Sequence, residues 1–153
     1  MTCIGVISDT HGLIRPQALE ALQGCDSIIH AGDVGDPAIV DALAKIAPVL
    51  AIRGNVDRGD WARSLPEAAS VEAENRRIYV LHSLDDLDFE PEVLGFHVVI
   101  YGHSHRPSIE TRNGVLYLNP GSAGPRRFDL PVTVAHLTFA EGGPSASVID
   151  ITG

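Results

Sequence analysis

The chain has 153 residues, of which 44% are hydrophobic, and its net charge of −9 gives a pI of about 5.0. This composition fits one well-cored domain over residues 1–153 and excludes a disordered chain. The acidic charge argues against non-specific nucleic-acid binding. Because no apolar run approaches a membrane span of roughly 20 residues and the N-terminus lacks a signal peptide, we expect a cytoplasmic protein with no membrane contact. Cys3 and Cys25 show neither metal nor redox spacing, so we interpret both as small buried hydrophobes.

The first two-thirds of the chain alternate apolar strands with helices. The predicted strands are 3–8, 27–31, 49–52, 78–81 and 98–101. Pro16 lies in the first turn of one predicted helix, and Asp36 caps a second helix that begins at Pro37. A short helical turn is expected at 60–64, and a further short helix is predicted to end at Gly95.

The last third of the chain changes to antiparallel strands. Strands at 109–112 and 115–118 flank Asn113-Gly114, the strongest short hairpin signal. Two more strands, 132–139 and 145–151, flank a turn at 141–144. We therefore predict an α/β fold in which two sheets pack face to face as a β-sandwich flanked by helices.

Five polar clusters each follow one of the five predicted strands of the alternating region. They are Asp9-Thr10-His11, Gly32-Asp33, Gly54-Asn55, His82 and Gly102-His103-Ser104-His105. Because ligands of α/β sheets bind beyond the carboxyl ends of the strands, we expect the clusters to converge. Carboxylate, imidazole and amide side chains without a cysteine suit Mn²⁺, Fe or Zn²⁺ and exclude a thiolate zinc site. The sequence therefore predicts a centre for two divalent metal ions.

In identity and order the clusters resemble the motifs of the calcineurin-like metallophosphoesterases, which are D-x-H, G-D, G-N, H and G-H-x-H. Their spacing is similar to that of the compact, single-domain phosphodiesterases, and residues 119–122 with Pro125-Arg126 resemble the closing motif of that branch. The resemblance implies a four-layer α/β/β/α fold. It also implies a hydrolase that cleaves a small phosphoester by in-line attack of a metal-bridging hydroxide.

The resemblance implies a role for each side chain of the clusters. The ligands of the first metal are Asp9, His11 and His105, those of the second are Asn55, His82 and His103, and Asp33 bridges the two. Asp33, Asn55 and His103 are the ligands we expect to act in catalysis as well. The expected cofactors are two Mn²⁺ ions, with Fe, Zn²⁺ or Ni²⁺ as alternatives.

Two positions depart from the family pattern. Val56 stands where larger phosphatases of the family carry a His that helps the leaving group depart, so no proton donor is assigned. Ser83 stands where a Gly usually follows the His ligand, which bears on the geometry of His82. Arg126 is the preferred candidate for holding substrate phosphate, and the alternatives are Arg53, Arg58 and Arg127.

Several other polar residues have ordinary structural explanations. His97 and His136 are interpreted as core or surface residues, and so is His30, which could instead support the nearby ligands. Loop hydrogen bonding explains Asp57 better than metal ligation does. The acidic run at 85–88 is typical of a solvated loop. We expect the loops 57–70 and 83–92 to determine substrate specificity.

The main alternative function is a non-catalytic protein-interaction scaffold, because a retromer subunit of the same fold works in that way. The catalytic positions of that scaffold are eroded, whereas every ligand position of this chain is filled. This difference favours an enzyme. A metal-dependent nuclease is disfavoured because the chain is acidic and shows no basic groove.

Overall fold

The computed structural model describes residues 2–127, 129–140 and 142–152. Within these ranges it contains two mixed, five-stranded sheets and few helices. The strands are β1 (Cys3–Ile7), β2 (Ser27–His30), β3 (Val49–Ala51), β4 (Ala68–Ala73), β5 (Arg76–Leu81), β6 (Val98–Ile100), β7 (Ser108–Arg112), β8 (Val115–Asn119), β9 (Thr133–Ala140) and β10 (Gly143–Asp150). The helices are α1 (Pro16–Ala21), α2 (Pro37–Ala44), α3 (Asp60–Arg63) and a 3₁₀ helix at Leu84–Asp86. None of these helices is long and apolar enough to cross a membrane.

Parallel pairing aligns the strand ends that carry the polar clusters. The first sheet has the order β10-β9-β1-β2-β3, with β1, β2 and β3 parallel to one another. The second has the order β4-β5-β6-β8-β7, with β5, β6 and β8 parallel. In each sheet the parallel strands therefore end at the same edge.

The sandwich core lies between the two sheets. Ile4 and Val6 of β1 meet Ile78, Val98 and other aliphatic side chains of the second sheet there. The next residue, Ile7, points to the opposite face of β1 and packs under α1 and α2, since successive side chains of a strand alternate between its faces. On the outer face of the second sheet, side chains of the segment 84–87 cover a smaller apolar cluster.

The structure confirms the predicted two-sheet sandwich and most of its elements. Asp36 caps α2 by accepting a hydrogen bond from Ala38 N at 2.9 Å. Asn113 and Gly114 both have positive φ, 50° and 78°, as the tight turn of a hairpin requires. In the second hairpin, residue 141 of the predicted turn lies outside the described residues.

Two predictions of local structure are corrected. Residues 91–95 form turns, so the short helix predicted to end at Gly95 is wrong. The side chains of Val93 and Leu94 are 70% and 52% exposed, and so short a helix is marginal without an apolar face to bury. The strand β4 was not predicted, because this edge strand is rich in Ala, Ser and Glu and mostly half-buried or exposed.

Candidate metal centre

The five polar clusters follow β1, β2, β3, β5 and β6, so they come from both sheets. The structure brings their side chains together at the carboxyl ends of these strands, as the sequence predicted. Two groups of potential metal donors form there. Within each group, one donor atom of every residue lies within 4.8 Å of the donor atoms of the other two.

The first donor group consists of Asp9, His11 and His105. The Nε2 atoms of the two histidines are 3.4 Å apart, and Asp9 Oδ1 lies 3.8 Å from His11 and 3.5 Å from His105. The other oxygen, Asp9 Oδ2, accepts hydrogen bonds from Ser8 Oγ at 2.8 Å and from the backbone N–H of His103 at 3.1 Å. Among the described residues the buried Oδ1 has no hydrogen-bond partner. One oxygen is thus held by the protein, and the other is directed at a position that suits a cation.

The second donor group consists of Asp33, His82 and His103. His82 Nδ1 donates to the carbonyl of Ala31 at 2.8 Å, which leaves Nε2 as the nitrogen for a metal. This Nε2 lies 3.1 Å from Asp33 Oδ2 but lacks hydrogen-bond geometry, and no other described group satisfies it. Asn55 lies beside this group, with Nδ2 3.2 Å from His103 Nδ1.

Asp33 lies between the two groups. Its Oδ2 is 3.1 Å from His82 Nε2 in the second group and 3.8 Å from His11 Nε2 in the first. Its Oδ1 accepts a hydrogen bond from the backbone N–H of Val56 at 2.9 Å. This bond fixes the carboxylate so that Oδ2 faces both groups, which is the position a bridging ligand needs.

The backbone at the centre is held in an unusual conformation. Positive φ angles between 49° and 72° occur at Asp9, His11, Asp33, His103 and His105. A non-glycine residue in this region costs roughly 1–2 kcal/mol, and such strain concentrates at functional sites. Gly32 has φ 101°, and a Cβ there would lie 2.7 Å from His82 Nδ1. The glycine therefore lets the loop after β2 approach the His82 ring closely.

Burial leaves two of the histidines uncharged and one carboxyl costly to ionise. Burial lowers the pKa of His105 to about 4 and lowers the pKa of His11, so both rings are neutral near pH 7. Burial also raises the pKa of Asp9 to about 6. A neutral imidazole can bind a metal directly, and a nearby cation would remove the penalty on the ionised form of Asp9.

Asp33 and His82 shift each other's pKa in opposite directions. Burial alone would raise the pKa of Asp33, but contact with His82 and the N–H of Val56 lower it well below its usual range. Burial alone would lower the pKa of His82, but Asp33 and the Ala31 carbonyl raise it above its usual value. A metal bound at this group would therefore compete with protonation of His82.

Two buried residues that are not ligands hold the loops in place. His30 Nδ1 accepts from the N–H of Gly32 at 3.1 Å, so Nε2 carries the proton and donates to Thr10 Oγ1 at 3.0 Å. Burial lowers the pKa of His30 to about 4, which agrees with this neutral state. Asp57 accepts hydrogen bonds from three backbone N–H groups, those of Val34, Gly35 and Gly54. The interpretation of Asp57 as a loop residue is thereby confirmed.

The segment 119–122 ties the first and last clusters together. Asn119 Nδ2 donates to the Gly102 carbonyl at 3.2 Å and to Ser104 Oγ at 3.1 Å. Ser122 Oγ donates to the Asp9 carbonyl at 3.0 Å. The closing motif noted in the sequence thus supports the loops that carry the ligands.

Residues 2–142 match the calcineurin-like phosphoesterase superfamily domain. The chain belongs to this superfamily. A probable metallophosphoesterase of Methanothermobacter thermautotrophicus is 35% identical over 162 residues, which cover 98% of this chain and 86% of the relative. Phosphodiesterase YfcE of Escherichia coli is 30% identical over 139 residues, which cover 75% of this chain and 76% of the relative. The relatives of this chain thus include proteins named as metallophosphoesterases and phosphodiesterases.

A solved structure shows the same fold. Vps29 of Entamoeba histolytica, complexed with Zn²⁺, matches this calcineurin-like domain with a TM-score of 0.74 and 20% identity, covering 97% of this chain and 99% of Vps29. At this level of identity the likeness shows that the two chains share a fold.

The two departures from the superfamily pattern have structural explanations. Ser83 has φ −125°, an extended conformation that needs no glycine, and its Oγ accepts from Asp85 N at 3.3 Å. The Val56 side chain is 47% exposed, while its backbone N–H holds Asp33. The contribution of Val56 to this calcineurin-like centre is therefore made by its backbone.

The arginines predicted to hold phosphate differ in position. Arg126 Nε donates to the Leu130 carbonyl at 3.1 Å, so its role at the phosphate stays a prediction. Arg127 lines a cavity of about 140 Å³ beside His103 and His105. Arg53 is paired with Glu67 at 2.7 Å. The motif ends at Arg126, so the sequence favoured Arg126 over Arg127. Nothing in the local sequence shows which of these two neighbouring side chains turns toward the metal centre.

A third group of donor side chains escaped prediction. Cys3 Sγ and Cys25 Sγ are 3.6 Å apart, and a ring nitrogen of His136 lies within 4.8 Å of a sulfur of each. The group lies at the beginning of β1, whereas Asp9 follows the end of that strand. It is therefore separate from the centre described above.

Proposed function

We propose that the chain is a dinuclear metal-dependent phosphodiesterase. The observation that carries the proposal is the pair of adjacent donor groups with Asp33 Oδ2 facing both. The proposed ligands are the seven predicted from the sequence, which are Asp9, His11, Asp33, Asn55, His82, His103 and His105. Two divalent ions held by these residues, with Mn²⁺ preferred, would polarise phosphate oxygens and acidify water near neutral pH.

The residues of the centre divide the work between them. Asp9, His11, His82 and His105 are largely buried, and we assign them to holding the metals. His103 and Asn55 are exposed beside the second group, so their side chains are the ones that a phosphoester meets first. We assign these two residues and the bridging Asp33 to catalysis, as ligands that also orient the phosphate.

The exposed side chain of Val56 offers no proton to a leaving group. We therefore expect the rate of hydrolysis to depend steeply on the pKa of the leaving group. A series of aryl phosphodiesters of increasing phenol pKa measures this dependence. A flat series would show that another residue donates the proton.

The phosphodiesterase proposal is tested by hydrolysis of bis(p-nitrophenyl) phosphate with added Mn²⁺. We expect Asp33→Asn to lower kcat/KM by at least about 100-fold, since loss of the bridge removes several kcal/mol of charge stabilisation. The matched control is Asp36→Asn, which makes the same change at an exposed helix cap of the following loop. Equal activity of the wild type and Asp33→Asn would reject the proposal.

A non-catalytic scaffold remains the second candidate, because Vps29 structures share the fold. One of these Vps29 structures is a complex with Zn²⁺, so metal binding alone does not distinguish the two functions. Turnover does distinguish them. A chain that binds two Mn²⁺ ions per molecule but hydrolyses neither phosphodiesters nor phosphomonoesters would be assigned to the scaffold class.

A further inference from the structure

A cavity of about 440 Å³ opens beside the second donor group. Its volume falls in the range of small-molecule sites, about 300–1,000 Å³. The residues that line it are Arg53, Gly54, Asn55, Glu67, Ala68, Tyr79, Leu81, His82, Asp86 and Asp88. Because Asn55 and His82 belong to this lining, the cavity adjoins the proposed metal centre.

The charge of this cavity is negative. Arg53 and Glu67 neutralise each other in an ion pair of 2.7 Å. Asp86 and Asp88 have no ion-pair partner in the part of the chain that the structure describes. The 3₁₀ helix at 84–86 begins two residues after His82 and places Asp86 in the lining, whereas Asp85 does not line the cavity.

An aromatic ring lies in the same lining. The ring of Tyr79 makes T-shaped contacts with the rings of Phe89 and Phe96, with centroids 4.9 and 5.3 Å apart, and these contacts hold it in place. Burial and the nearby Asp88 raise the pKa of Tyr79, so its phenol stays uncharged. Aromatic rings recognise quaternary ammonium ligands in proteins, and nearby carboxylates add charge attraction.

We propose that this cavity is the subsite for an alkylammonium group on one ester arm of the substrate, so that the substrate is a zwitterionic phosphodiester. The proposal rests on the proposed function, because the phosphate must lie at the metal centre. Tyr79, Asp86 and Asp88 then contact the cationic arm. A substituent with a second phosphate or a carboxylate is disfavoured, since the only arginine among the described residues of the lining, Arg53, is already paired with Glu67.

Two esters that differ only in charge test the subsite. They are p-nitrophenyl phosphorylcholine and 3,3-dimethylbutyl p-nitrophenyl phosphate, in which carbon replaces the quaternary nitrogen. With Mn²⁺ and low salt, we expect kcat/KM to be about tenfold higher for the choline ester, the size expected for two exposed charge pairs. Phosphocholine is likewise expected to inhibit hydrolysis of bis(p-nitrophenyl) phosphate more strongly than 3,3-dimethylbutyl phosphate does.

Variants of the acidic run locate the effect. We expect the double variant Asp86→Asn, Asp88→Asn to hydrolyse the two esters equally, while Asp85→Asn keeps the wild-type ratio. Equal kcat/KM of the wild type for the two esters, or a ratio unchanged in the double variant, would overturn the subsite. A wild type that hydrolyses no phosphoester would instead refute the proposed function on which the subsite rests.

Discussion

Replacement of Asp57 by Asn tests how the centre is held in place. The buried carboxylate accepts from Val34 N at 3.1 Å and Gly54 N at 2.9 Å through Oδ2, and from Gly35 N at 2.8 Å through Oδ1. It therefore joins the loop after Asp33 to the loop that carries Asn55. An asparagine has one carbonyl oxygen, and its amide group would face a backbone N–H in place of the second oxygen.

The cost of this replacement follows from the number of bonds. At least one buried N–H loses its acceptor, which costs about 1–3 kcal/mol, and the remaining bonds lose their charge assistance. We expect a loss of about 2–3 kcal/mol in the free energy of unfolding, and for a chain of this length a fall in Tm of about 4–12 °C. The loops would also be less well held, so the apparent affinity for Mn²⁺ should fall.

Thermal unfolding with EDTA and Mn²⁺ titration of activity measure the two effects. The control is Asp36→Asn, which keeps a good N-cap and should change Tm little. Activity of Asp57→Asn should recover at saturating Mn²⁺, because Asp57 is a positioning residue. An unchanged Tm would refute the reasoning, and activity that no amount of Mn²⁺ restores would indicate that Asp57 is itself a ligand.

Three further predictions concern residues of the centre. Because the pKa of Asp9 is raised from 3.8 to about 6, Asp9 by itself lowers the free energy of unfolding of the metal-free protein by roughly 3 kcal/mol as pH rises from about 4 to about 6, while the lowered pKa values of His30 and His105 act in the opposite direction. Asp9→Asn should therefore unfold at a higher temperature than the wild type in EDTA at pH 7.5 and gain less from Mn²⁺ than the wild type does, since only the second donor group is intact; a lower Tm in EDTA contradicts this. Val56→His should raise hydrolysis of alkyl phosphodiesters by up to about 100-fold and flatten the dependence on leaving-group pKa, with no gain counting against a proton donor at this position. Gly32→Ala, which forces a Cβ against the His82 ring, should lower Tm and Mn²⁺ affinity together, and wild-type values of both would show that the loop can shift.

Local chemistry made much of the fold predictable. Pro16, the cap Asp36 and the turn Asn113-Gly114 act within a few residues of themselves, so their effects are visible in the sequence and are confirmed. The prediction of a helix ending at Gly95 is wrong because a local apolar pattern does not show whether the rest of the protein offers a surface against which that segment can be buried. The edge strand β4 was not predicted because its own sequence pattern is weak, and the strand forms through pairing with β5.

The prediction of the seven candidate ligands required only their residue types and their positions after apolar strands. Residue types and spacing alone did not show which donors share a group, because that depends on how two separate sheets face each other. The expected grouping came from the family resemblance. The structure places Asp33 Oδ2 between His11 and His82 and directs Arg127 beside His103 and His105. It also brings Cys3 near Cys25, a proximity that no spacing indicates.

The acidic run at 85–88 illustrates the same division. Composition identified it as a solvated loop, and its aspartates are indeed exposed. Only the packed structure separates Asp86 and Asp88, which line the cavity, from Asp85, which does not. The sequence by itself determined which side chains can bind metals and where strands and turns fall, because those properties arise from local chemistry. Tertiary structure decided which side chains meet and what charge surrounds them, because such distances arise from the packing of segments far apart in the chain.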